Sequence, residues 1–189
     1  MNGFKSKTYG LILNGMIGKP ASAFNWKSEG YKEFLPSVIR NVHATLDAAH
    51  KNSVYHLYIR PSNIIVPTTA DKMTKDIKVL VIDWGVAISD DKKFHFQGCV
   101  PYAHDELLAT VRMEKKAKSE HDWASLLYTY YHLDEGHLPW HVLMAHGKRV
   151  CDTGVRKNTV SNWLEQKRLQ KSEKDEDVFQ AFSQLLSTQ

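Results

Sequence analysis

The stretch HLYIRPSN gathers His56, Tyr58, Arg60 and Asn63 into one short run. Each of these side chains can donate a hydrogen bond, and Arg60 carries a permanent charge. Tyr58 limits the chemistry. A phenol has an unperturbed pKa of about 10, stays protonated at neutral pH, and cannot take up a proton as a carboxylate does. Further on, Asp83 opens the tripeptide Asp83-Trp84-Gly85. Asn63 and Asp83 also have a purely local reading, because Asn and Asp bond nearby backbone and stabilise turns.

Two other groups invite a chemical reading. His132, His137, His141 and His146 are closely spaced. Pro139 interrupts any helix that would set His137 and His141 on one face, and no H-E-x-x-H pattern occurs, so no metal is expected. Cys99 has no His or other base beside it in sequence and reads poorly as a nucleophile. Cys99 and Cys151 stand apart, which argues against a disulfide framework and for a reducing compartment. Trp84, Trp123, Trp140 and Trp163 read as packing residues rather than as ligand contacts.

The elements that must position these residues follow from hydrophobic period. Thr8 to Gly15 reads as a short strand ending in a glycine turn. From Tyr31 to Lys51 the residues Phe34, Leu35, Val38, Ile39, Val42, Leu46 and Ala49 form the stripe of a helix with one buried face. HLYIRPSN follows as a loop, since Pro61 fixes its own φ and pushes Arg60 away from helix. Asn63–Pro67 and Ile77–Asp83 are β-like runs joined by a polar stretch, a hairpin with a long loop. After Gly85 the chain is irregular to about Ala103. Helical patterns return over Glu120–Leu133, Val160–Leu169 and Asp177–Leu186.

Composition bounds the class. The chain has 189 residues, 42% hydrophobic and 24% charged, the balance of a single domain able to bury a core. No apolar run approaches the ~20 residues needed to span a bilayer, and no signal peptide is expected at the start. Residues 1–60 hold eight Lys/Arg against three Asp/Glu. Such a basic flank could attract an acidic partner or nucleic acid, but no Arg-rich run interleaved with aromatics supports the latter.

In order and spacing, these motifs resemble the C-terminal lobe of a protein kinase. His56 and Asn63 match the two ends of the family's H-R-D-L-x-x-x-N loop, and Asp83-Trp84-Gly85 stands for D-F-G after a strand. GCVPYAHDE (Gly98–Glu106) keeps the Gly, Tyr and Glu that end the activation segment. HDWASL (His121–Leu126) is similar to the start of the central helix, and GHLPW (Gly136–Trp140) to the G-x-x-P-F that follows it. The resemblance implies a mainly α fold, a helical bundle with a short β-hairpin carrying the catalytic-loop and DWG segments. Residues 1–30 would then be a hinge-like strand and linker, and 31–189 the lobe, with an activation-like segment at 83–106.

The departures carry the functional expectation. The family's catalytic Asp, which accepts the substrate hydroxyl proton, falls on Tyr58. The loop Arg that would hold a phosphorylated activation segment falls on Leu57. No G-x-G-x-x-G and no V-A-I-K-like strand precede His56 in the chain, so the resemblance implies a lobe without its N-terminal partner. Asn63 and Asp83 match the family's two Mg²⁺ ligands, a residual metal–nucleotide site at most, and Arg60 falls where kinases carry a basic residue that reaches the transferred phosphoryl. Asp122 would brace the catalytic loop. Glu106 would pair with a basic residue from the C-terminal third, with Arg149, Arg156 and Arg168 as candidates and Arg156 favoured.

The reading is therefore a catalytically inactive pseudokinase lobe with no cofactor. It would be cytoplasmic or nuclear, and would bind a protein partner or a second copy through the surface that a missing N-lobe exposes. The alternative is a kinase-like phosphotransferase or nucleotide binder whose N-lobe acts in trans or was lost from the chain. A basic nucleic-acid-binding module is the third reading.

Overall fold

A computed structural model describes residues 18–68, 77–89, 92–109, 114–138, 140 and 173–187 of the chain. The strand expected at Thr8–Gly15, the helix expected at Val160–Leu169, and Arg149, Arg156 and Arg168 lie outside these residues. About 54% of the structure is helical and the rest includes small antiparallel sheets, a roughly mixed α/β fold rather than the mainly α one expected.

The first long helix is broken where the sequence pattern reads as continuous. A short α1 (Glu29–Lys32) precedes α2 (Leu35–Lys51). Pro36 sits in the first turn of α2, the one place where a residue without an N–H is tolerated. In an unbroken helix its ring would clash with the carbonyl of Lys32. Leu35, Val38, Ile39, Val42 and Leu46 form the buried stripe of α2, and it packs against α4 (Ser119–Glu135). Buried residues of α4 include His121, Asp122, Leu126, Thr129, Tyr130 and Leu133. They are spread around the helix, as expected of one at the centre of the fold. It ends on Gly136 in the left-handed region (φ 78°), the usual glycine exit. The last helix, α5 (Glu173–Ser187), packs on α2 and α4, and its Phe182 lies 5.7 Å from the ring of Tyr130.

Among the described residues, seven short strands make three small sheets. β3 (Ile64–Pro67) is central in the first. It pairs with β1 (Gly18–Pro20) on one side and β4 (Leu80–Val81) on the other, in the register Lys19↔Val66 and Ile64↔Val81. Gly18 is required there, since a Cβ would stand 2.5 Å from the Val66 carbonyl oxygen. The segment expected to be irregular holds β5 (Ile88–Ser89), which pairs with β2 (Val54–Tyr55). It also holds β6 (Lys93–Phe94), which pairs with β7 (Lys115–Lys116). A five-residue helix, α3 (Asp105–Ala109), lies between β6 and β7 in the chain. Two-residue strands paired with distant partners leave no period to read. A satellite core of Leu57, Phe94, Leu107 and Ala117 lies under this region, beside the main core.

No helix among the described residues is long and apolar enough to cross a membrane.

Candidate functional site

The loop between β2 and β3 is built on a buried carboxylate. Asp122 is fully buried in the first turn of α4. Its Oδ2 accepts from the His56 backbone N–H at 2.8 Å and its Oδ1 from the Leu57 N–H at 2.7 Å. His50, near the end of α2, places Nε2 at 2.9 Å from the same Oδ2. A buried carboxylate is tolerated only when its oxygens are satisfied, and three nitrogen donors satisfy this one. The anchorage also holds Leu57 at φ 60°, a conformation that costs a non-glycine residue about 1–2 kcal/mol.

His56 is a strut. Its ring is fully buried, Nε2 lies 3.0 Å from the Ile82 carbonyl oxygen, and Nδ1 accepts from the Tyr58 N–H at 3.2 Å. These partners assign the neutral tautomer with hydrogen on Nε2. Burial, the largest effect, pushes the His56 pKa below its ordinary value, against the opposing pull of Asp122. The Trp84 ring stands edge-on at 4.4 Å from the His56 ring, and Trp84 Nε1 donates to the Val81 carbonyl at 3.0 Å. Trp84 is thus a packing residue.

Pro61 starts a single 3-10 turn (Pro61–Asn63), and Arg60 before it is extended (φ −163°, ψ 163°), as a residue preceding proline prefers. That geometry returns the Arg60 guanidinium over the Tyr58 ring, 4.7 Å from its centroid. Asn63 is buried; its Nδ2 donates to the Tyr58 carbonyl at 2.9 Å, closing the loop on itself. Its Oδ1 is then the one side-chain atom able to face a cation. Asp83 is exposed and left-handed (φ 68°, ψ 51°), which Asp tolerates better than most residues.

His56, Tyr58, Arg60, Asn63 and Asp122 thus belong to one hydrogen-bonded loop system, with Asp83 at its edge. Chemically, the system offers one exposed carboxylate and one amide oxygen to a cation. The side chain at position 58 is a phenol carrying a stacked guanidinium.

Glu106 belongs to a second cluster. Lys118 Nζ reaches its two carboxylate oxygens at 2.9 and 3.1 Å, and His121 Nε2 lies 3.4 Å from Oε2. The Lys118 hydrogen bonds, chiefly, hold the Glu106 pKa below the usual carboxylate value. The side chains of Lys118 and Glu106 are 50% and 45% exposed, so the pair is a surface one. Lys118 is not among the expected partners; the three that are, Arg149, Arg156 and Arg168, lie outside the described residues.

His104, Glu106 and His121 could in outline surround a cation, with ligand atoms within 4.8 Å of one another. The hydrogen bonds argue otherwise. His104 Nδ1 accepts from the Glu106 N–H at 3.0 Å, and His121 Nδ1 from the Lys118 N–H at 3.3 Å. Both rings then carry hydrogen on Nε2, the nitrogen a metal would need bare, while the Lys118 ammonium occupies the carboxylate. The donor set does not fit a metal.

Three participants escaped the sequence reading: His50, His121 and Lys118. His50 meets Asp122 across 72 positions, and nothing in the local pattern marks it. His121 and Lys118 flank the start of α4, where a closer look at the first helical turn would have found them. Comparison with known proteins finds no family model that matches the chain and no curated protein significantly similar to it.

Proposed function

We propose that the chain is a catalytically inactive, protein-kinase-like C-terminal lobe that works by binding another protein. The observation that carries this reading is the state of position 58. The resemblance puts a proton-accepting Asp there, and the chain has a tyrosine whose ring lies under Arg60 at 4.7 Å. Neither the phenol nor the guanidinium can accept a proton at neutral pH. Further support comes from the order and spacing of the five motifs and from the Asp122 carboxylate beneath the loop. Asn63 commits its amide nitrogen to the loop, which leaves Asp83 as the one exposed carboxylate of the system. Mg²⁺ held through a single carboxylate stays weakly bound unless substrate phosphates complete its shell.

Thermal melting with millimolar ATP and Mg²⁺ tests the reading. A ligand present at or below its dissociation constant stabilises by no more than about 0.4 kcal/mol, a shift of roughly 1–2 °C. A rise of several degrees, abolished in Asp83→Asn, would overturn the claim that the loop has no nucleotide chemistry.

A further inference from the structure

The ribbon β6–β7 sets like charges face to face. Lys93 lies directly opposite Lys116 in its register, and directly opposed residues project on the same face of an antiparallel pair. Lys92, Lys93, Lys116 and Lys118 are all exposed. The second pair of the register, Phe94↔Lys115, lies on the other face: Phe94 is buried in the satellite core, and Lys115 turns its ammonium back to the Glu106 carbonyl. Among the described residues, the acids near the exposed face are Glu114, 3.9 Å from Lys93, and Glu106, which pairs with Lys118. Lys116 has no acidic partner within ion-pair distance among the described residues. Asp90 and Asp91 lie outside those residues and enter neither side of this balance.

A cavity of about 260 Å³ opens beside the same ribbon. Leu57, Val86, Ile88 and Phe94 supply its apolar side, and Lys93 and His95 its polar side. Gly98 lets the chain pass close there, since a Cβ would stand 2.6 Å from the Leu57 carbonyl oxygen. The cavity is smaller than the usual site for a free metabolite, ~300–1,000 Å³, and suits one or two side chains of a docked peptide.

We propose that the ribbon and this cavity form a docking site for an acidic segment of a partner protein. The partner's carboxylates would meet Lys93, Lys116 and Lys92, and one of its side chains would enter the cavity. Opposed lysines destabilise a bare ribbon, and an acidic ligand converts that repulsion into attraction. An acidic peptide fits better than single-stranded nucleic acid. The ribbon's own aromatic, Phe94, is buried, and Phe96 packs against the satellite core, so neither offers an open stacking surface for bases. The site draws on Leu57 and on β6 and β7 but uses none of Tyr58, Arg60, Asn63 and Asp83, so it stands or falls independently of the inactive-lobe reading.

Fluorescence anisotropy with the full chain tests the proposal, using a labelled Glu-rich peptide, its Gln counterpart, and a DNA oligonucleotide of matched charge. The expected result is saturable binding of the Glu peptide alone, weakened at least tenfold in the Lys93→Glu/Lys116→Glu double variant. Binding should also weaken between ~50 and ~200 mM salt. The single variant Lys116→Glu separates misfolding from lost binding. It puts opposite charges across the ribbon, so it should melt no lower than wild type while still losing affinity. Equal binding of the Gln peptide, tighter binding of DNA, no binding of the Glu peptide, or an unchanged double variant would each overturn the proposal.

Discussion

The Arg60 guanidinium lies over the Tyr58 ring at 4.7 Å from its centroid, two residues away and separated only by an extended step before proline. The two side chains form one unit in which a cation rests on the negative face of an aromatic ring. A double-mutant cycle with Tyr58→Leu and Arg60→Leu should therefore show a coupling of about 0.5–1 kcal/mol in chemical unfolding. Additivity of the two substitutions would dissolve the unit.

Tyr58→Asp asks whether the missing acid alone keeps the loop inactive. The substitution restores the residue type that the resemblance calls for, in a half-buried setting beside Arg60. No transfer of γ-phosphate to generic protein substrates is expected from it. Detectable transfer would show that the remaining residues form a competent site lacking only its base.

The Asp122 anchorage makes an inverted prediction at Leu57. In most settings glycine is the more damaging replacement, but Leu57 sits at φ 60°, where alanine keeps the strain and glycine removes it. Both variants lose the leucine side chain from the satellite core. Leu57→Gly should nevertheless be more stable than Leu57→Ala by about 1 kcal/mol. Asp122→Ala should cost ~3 kcal/mol or more in denaturant unfolding, because it strands the His56 and Leu57 N–H groups away from water. A loss below 1 kcal/mol would mean the loop holds its shape without the carboxylate.

Much of this site was legible because it is local or periodic. The apolar stripe of α2, the helical pattern of α4 and the β-like runs around the hairpin announce the elements that carry the loop. Pro61 announces the extended Arg60. Asp122 was legible in a different way, through the order of motifs alone, since hydropathy cannot distinguish a buried Asp with three donors from an exposed one. The break before α2 turned on the single residue Pro36. The strands β5, β6 and β7, the partnership of His50 with Asp122 across 72 positions, and that of Lys118 with Glu106 across 12 arise from tertiary approach, and no local hydrophobic period marks them.

Acidification should destabilise the protein before its carboxylates titrate. Burial, the largest effect in each case, holds the His56, His121 and His132 pKa values below the ordinary 6.5. The unfolded chain therefore takes up protons first as pH falls. These groups' contribution is intact above the ordinary histidine value and is lost as pH drops below it. Each can add a slope of up to about 1.4 kcal/mol per pH unit. Melting temperature should fall between pH 7.5 and 5.5, and less steeply in His132→Gln. A flat profile would mean these rings protonate within the fold.

The Glu106–Lys118 pair should matter little. With both side chains about half exposed, solvent screening limits the pair to under about 1 kcal/mol. Coupling between Glu106→Ala and Lys118→Ala should stay below that figure and shrink in high salt. A coupling of several kcal/mol would show the pair is shielded in solution.

The central claim is that the Tyr58 loop performs no phosphoryl transfer, and a radiolabel assay addresses it most directly. Purified chain, incubated with γ-labelled ATP, Mg²⁺ or Mn²⁺ and generic protein acceptors, should release no label to itself or to them above a no-protein control. Time-dependent incorporation that disappears in Asp83→Asn would contradict the account and make the chain an enzyme.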